Sequence, residues 1–165
     1  GGKLLSVPFI TNRKPVSDGS GGHYFGEHRG RLTGGVCQVM LLDPDKLRGK
    51  ADVVAVSEVP HADVLDSINA REGVILYVHG YNIGFEKGCR RVARMQQSLG
   101  IEGRTLLFSW PADGNYLNYL RDVSDLSWSE PALTALLSDL AHRFGPENVH
   151  LIGQVAGTHD HVGSQ

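Results

Sequence analysis

Two segments of this 165-residue chain place reactive side chain types just past the end of an apolar run. His79-Gly80-Tyr81-Asn82 follows Val74-Ile75-Leu76-Tyr77-Val78. Ser109-Trp110-Pro111 follows Thr105-Leu106-Leu107-Phe108, with Asp113 close behind. Serine, histidine and a carboxylate together can make a hydroxyl nucleophilic: the imidazole takes the proton and the carboxylate orients the ring. A third segment has the frame of a site and lacks its centre. Residues 153–157, Gly-Gln-Val-Ala-Gly, carry the two glycines of a Gly-x-Ser-x-Gly turn, in which a strained strand-to-helix turn exposes a serine hydroxyl. Val155 stands at the serine's place and has no nucleophilic atom, so the nucleophile position reads as vacant.

The remaining candidates are weaker. His159 and His161 alternate, and on a strand they would face the same way, but a metal would need at least one more ligand. A solvated tail explains them and Ser164 more simply, and no metal or other cofactor is expected. Arg90, Arg91 and Arg94 form a small basic face that suits the outside of a helix. Trp110, Tyr116, Tyr119 and Trp128 read first as packing. Cys37 and Cys89 are too few for a disulfide framework and form no Cys-x-x-Cys pair, which fits two buried thiols in a reducing cytoplasm. A net charge of -2 and a pI near 6.5 give no footing for nucleic acid or an anionic membrane. No apolar run approaches the roughly 20 residues of a spanning helix.

Hydrophobic periodicity supplies the elements that would position these groups. Residues 4–10, 32–42 and 53–59 read as strands, with 11–15 and 17–23 as loops. Residues 62–69 read as a short helix. The continuous apolar run 74–78 suits a strand covered on both faces. Phe85, Cys89, Val92, Ala93, Gln96 and Leu99 share one helical face, stopped by Gly100. Residues 105–108 form the next buried strand and 115–126 a helix. Pro131 opens a further helix with Leu133, Leu136, Leu137, Leu140 and Phe144 on its apolar face. Residues 149–152 are the last strand. Strand, helix, strand, helix, strand from 74 to 152 is the pattern of a parallel sheet, whose ligands bind beyond the carboxyl ends of the strands.

Residues 7–15 (Val-Pro-Phe-Ile-Thr-Asn-Arg-Lys-Pro), Tyr24-Phe25-Gly26, Tyr77-Val78-His79-Gly80-Tyr81-Asn82, Phe108-Ser109-Trp110-Pro111 and His150-Leu151-Ile152-Gly153 together resemble a family of bacterial α/β-hydrolase proteins of poorly known function. The resemblance implies one truncated α/β-hydrolase domain over 1–165, with a mostly parallel central sheet flanked by helices. It divides into N-terminal strands and loops (1–73), a βαβαβ core (74–153) and an irregular tail (154–165). Where the family continues as Gly-His-Ser-Met-Gly, this chain departs after Gly153. The resemblance implies that Gly80 and the Tyr81 N–H help form an oxyanion hole. It also sets the 105–108 strand beside the 74–78 strand, which brings Ser109 near His79, with Asp113 as orienter.

Two functions follow as expectations. The first is a carboxylic ester hydrolase acting on a small-molecule ester through an atypical Ser109–His79 site. The alternative is a catalytically inactive relic forming a homo-oligomer. An uncovered edge at the 149–152 strand would invite a homo-oligomer, by pairing with a second copy or by exchange of an element between copies.

Overall fold

The computed structural model describes residues 1–16, 24–46, 49–80, 83–111, 131–155 and 159–164. Among the described residues, seven strands form one sheet: β1 (Lys3–Pro15), β2 (Phe25–Leu41), β3 (Ala51–Glu58), β4 (Val74–Val78), β5 (Thr105–Ser109), β6 (Val149–Val155) and β7 (His159–Ser164). Their order across the sheet is β3-β2-β1-β5-β4-β6-β7. The four central strands, β1, β5, β4 and β6, run parallel to one another. Antiparallel partners extend both flanks, β2 and β3 on one side and β7 on the other. This is the mixed α/β architecture with a parallel centre that the residue pattern implies.

Alternation along the strands builds two cores. Leu5, Val7 and Phe9 of β1, Tyr77 of β4 and Leu107 of β5 face α2 (Phe85–Leu99), which lays Phe85, Cys89, Val92 and Ala93 against them. The opposite parity, Ile10, Leu76, Val78, Leu106 and Phe108, faces α1 (His61–Asp66) and α3 (Pro131–Phe144) through Val64, Leu65, Leu133, Leu136 and Leu140. Helices therefore cover both faces, and β4 and β5 read as unbroken apolar runs for that reason. Gly100 closes α2 in the left-handed conformation, with φ of 63°. No helix among the described residues is long and apolar enough to cross a membrane.

Three differences from the sequence reading matter. Residues 11–15 do not form a loop; they continue β1 and pair with the first part of β2, Arg13 opposite Arg29 and Pro15 opposite Phe25. Polar composition hides this, because Thr11, Asn12 and Arg13 are buried. The chain from 159 to 164 is not irregular, since it forms β7 and pairs with β6 from His150–Ser164 to Val155–His159. Consequently β6 is not an uncovered edge; the edge strands are β3 and β7.

Candidate functional site

Strand register brings His79 and Ser109 together. Val78 lies opposite Phe108 in the β4–β5 pair, so the next residue of each strand meets at the carboxyl edge. His79 keeps the parity of Tyr77, and Ser109 that of Leu107, which turns both toward the α2 side. Ser109 Oγ is 3.1 Å from His79 Nε2. Neither is open to solvent: Ser109 is 0% exposed and His79 1%. A cleft of about 370 Å³ is lined by Arg31, Thr33, Glu58 and His61 among others, and neither Ser109 nor His79 lines it.

A residue taken for loop completes the cluster. Thr11 pairs with Ser109 across β1 and β5, and its hydroxyl donates to the Ser109 carbonyl at 2.7 Å. Two residues on, the Arg13 side chain enters on the same side and is 0% exposed. Its Nε donates to Ser109 Oγ at 2.8 Å. One terminal nitrogen donates to Gly26 O at 2.9 Å and Glu27 Oε1 at 3.0 Å. The other donates to Ile83 O at 2.6 Å and lies 3.5 Å from His79 Nε2. Four of the five guanidinium N–H groups thus have an oxygen acceptor, which offsets much of the cost of burying the group. Burial still pulls the Arg13 pKa below its ordinary value, and the Glu27 carboxylate opposes that pull.

The hydrogen bonds fix the state of His79. Trp110 N–H donates to His79 Nε2 at 3.0 Å, so that nitrogen carries no proton. The proton sits on Nδ1 and is donated to Gly80 O at 2.8 Å. Trp110 also stacks on the ring, with centroids 5.5 Å apart and planes 9° apart, and its indole N–H bonds His79 O at 3.1 Å. Burial first, and the positive charge of Arg13 second, lower the His79 pKa from 6.5 to about 3. Arg91 of α2 adds to the same effect.

Of the residues singled out from sequence, Ser109, His79 and Gly80 come together. The expected orienting carboxylate is Asp113, which lies outside the described residues, as does Tyr81; the Nδ1 proton goes to Gly80 O instead. Val155 is not on a strand-to-helix elbow. β6 stays extended through Val155, which pairs with His159 of β7, so the chain returns as a hairpin. The Gly153–Gly157 spacing alone does not make the elbow, because the backbone after Gly153 continues as strand. Among the described residues, no group of three or more His, Cys, Asp or Glu is placed to hold a metal. Arg94 donates to Gly49 O, which accounts for one member of the basic face. Arg13 and Glu27 were missed. The available signal was the parity of Phe9, Thr11 and Arg13, which carries the inward face of β1 past its apolar part.

A family model described as an alpha/beta hydrolase of unknown function (DUF900) matches residues 59–162. No curated protein and no solved structure matches the chain.

Proposed function

Because the chain belongs to the alpha/beta hydrolase family of unknown function DUF900, we propose that it keeps a hydrolase scaffold in which the Ser109–His79 pair is a structural junction and not a catalytic centre. One observation carries this reading: His79 Nε2, the atom that would accept the serine proton, already accepts from Trp110 N–H and lies 3.5 Å from the Arg13 guanidinium. Placing a proton there at pH 7, some four units above its pKa of about 3, costs about 5 kcal/mol. A working general base has a pKa near the operating pH. The fully buried hydroxyl of Ser109 and the valine at position 155 support the same reading. The test is labelling with a fluorophosphonate probe, together with turnover of p-nitrophenyl acetate by wild type and Ser109→Ala. The expected result is an unlabelled Ser109 and equal rates.

A second reading is favoured by the 3.1 Å separation of Ser109 Oγ and His79 Nε2. It is hydrolysis of a small carboxylic ester. Ser109 Oγ would bond the acyl carbon while its proton passed to His79 Nε2. The imidazolium would then protonate the departing alkoxide. Water, activated in the same way, would release the carboxylic acid and restore the serine. Gly80 and Tyr81 would lie near the developing oxyanion, and Asp113 would be the orienting carboxylate. Labelled Ser109, with turnover lost in Ser109→Ala, would establish this reading and remove the first. In either reading a second copy of the chain would pair at β3 or β7.

A further inference from the structure

We propose that Arg13 is the positioning residue that orders the proton of the Ser109–His79 pair: its Nε–H donates to Ser109 Oγ at 2.8 Å, so the serine hydroxyl must donate onward, and His79 Nε2 at 3.1 Å is its acceptor. The inference deepens the junction reading and rests on it for its consequence, not for its geometry.

The direction follows from what each group can do. A guanidinium has donors and no acceptor, so Arg13 can only give a hydrogen bond to Ser109. A hydroxyl has one proton and two lone pairs. With one lone pair engaged by Arg13, the proton is left for another acceptor. His79 Nε2 is within reach at 3.1 Å, and Trp110 N–H already marks it as an acceptor. His79 Nδ1 then donates to Gly80 O. The result is a one-way chain, Arg13 Nε–H to Ser109 O–H to His79 Nε2, and separately His79 Nδ1–H to Gly80 O.

Arg13 therefore orders the pair from the serine side, whereas Gly80 O takes the Nδ1 proton that an orienting carboxylate would accept. A carboxylate at Nδ1 favours the imidazolium. A guanidinium 3.5 Å from Nε2 disfavours it. The charged groups that act on His79 are Arg13 from β1 and Arg91 from α2, with Glu27 of β2 partly neutralising Arg13. Arg13 also joins β1 to β2 through Gly26 and Glu27, and to the segment before α2 through Ile83, so the order of the proton is built into the junction of four segments.

Nitrogen-15 NMR of the His79 imidazole in the wild-type protein tests the order without any substitution. The expected spectrum is that of the Nδ1–H tautomer, unchanged from pH 8 to pH 5. An Nε2–H tautomer would overturn the assignment. In Arg13→Met, His79 should titrate at higher pH than in the wild type; an unmoved titration in a folded variant would also overturn it. Should Arg13→Met fail to fold, the wild-type tautomer still decides. Fluorophosphonate labelling separates the two claims. Labelled Ser109 with the Nδ1–H tautomer intact would remove the junction reading and leave the role of Arg13. An unlabelled serine with the Nε2–H tautomer would do the reverse.

Discussion

His79 should make the fold acid-sensitive by an amount that can be worked out. Its pKa in the folded chain is about 3, against 6.5 for an exposed imidazole. As pH falls through 6.5, the unfolded chain takes up a proton that the folded chain refuses. Stability is therefore present in full above the unfolded value and is lost as pH falls toward the folded one. Between pH 7 and pH 5 the loss from this one group is about 2 kcal/mol. His79→Gln keeps a side chain that can both donate and accept, and it removes the titration. Urea unfolding of wild type and His79→Gln at the two pH values isolates the effect, because every other titrating group is common to both. With a urea slope of roughly 2 kcal/mol per molar, the wild-type midpoint should fall by about 1 M more than that of the variant. Trp110, stacked on the ring, gives a fluorescence signal close to the event. Equal shifts in the two proteins would mean that His79 is neither buried nor held neutral, and the junction reading would lose its physical basis.

Other outcomes follow from the same contacts. Arg13→Met should cost about 1–3 kcal/mol, measured by urea unfolding, since it strands the Gly26 and Ile83 carbonyls while the exposed Glu27 carboxylate returns to solvent. Arg13→Lys should cost nearly as much, because an ammonium cannot reproduce the planar fork. Ser109→Ala should destabilise by about 1–3 kcal/mol through the unpaired Arg13 Nε. Gly35→Ala should cost at least about 1–3 kcal/mol by thermal melting, as its Cβ would run into Ser57 O and the Phe9 ring. Gly88→Ala, whose Cβ would meet only ordinary contacts at 3.6 Å, should instead raise the melting point, by up to about 1 kcal/mol of helix propensity.

Much of the fold was legible because it is written in local periods. The run 74–78, the face of residues 85–99 and the face of 131–144 each match one element. β4 and β5 are covered on both sides, so their apolar runs are continuous and easily read. The misread stretches share a different physics. Residues 11–15 and 159–164 are mostly polar, and their strand state comes from their ladder partners, within 25–33 for the first and 150–155 for the second. Arg13 pairs with Arg29, and His159 with Val155 across a connection that contains Gly157. Composition in such stretches reports solvation preference, whereas the ladder partner decides conformation. The Gly153–Gly157 spacing failed for the same reason: two glycines allow a tight turn, but do not force it where a strand partner is present.

The site was legible only as a proximity. Adjacent strand ends bring Ser109 beside His79, and a serine beside a histidine suggests a nucleophile and its base. Whether such a pair reacts depends on the third group, and the sequence reading put a carboxylate there. The charged group found against the pair is Arg13, beside Nε2 and Ser109 Oγ, from a strand extension read as loop. The exchange inverts the electrostatics. A carboxylate would raise the imidazole's affinity for a proton; the guanidinium, with Trp110 N–H on the same nitrogen, lowers it. A buried cation also demands acceptors, and Gly26, Glu27, Ile83 and Ser109 supply them. In the proposed junction reading, the arrangement that satisfies Arg13 also withholds Ser109 from chemistry, since proton transfer to His79 would bring a second positive charge against the first.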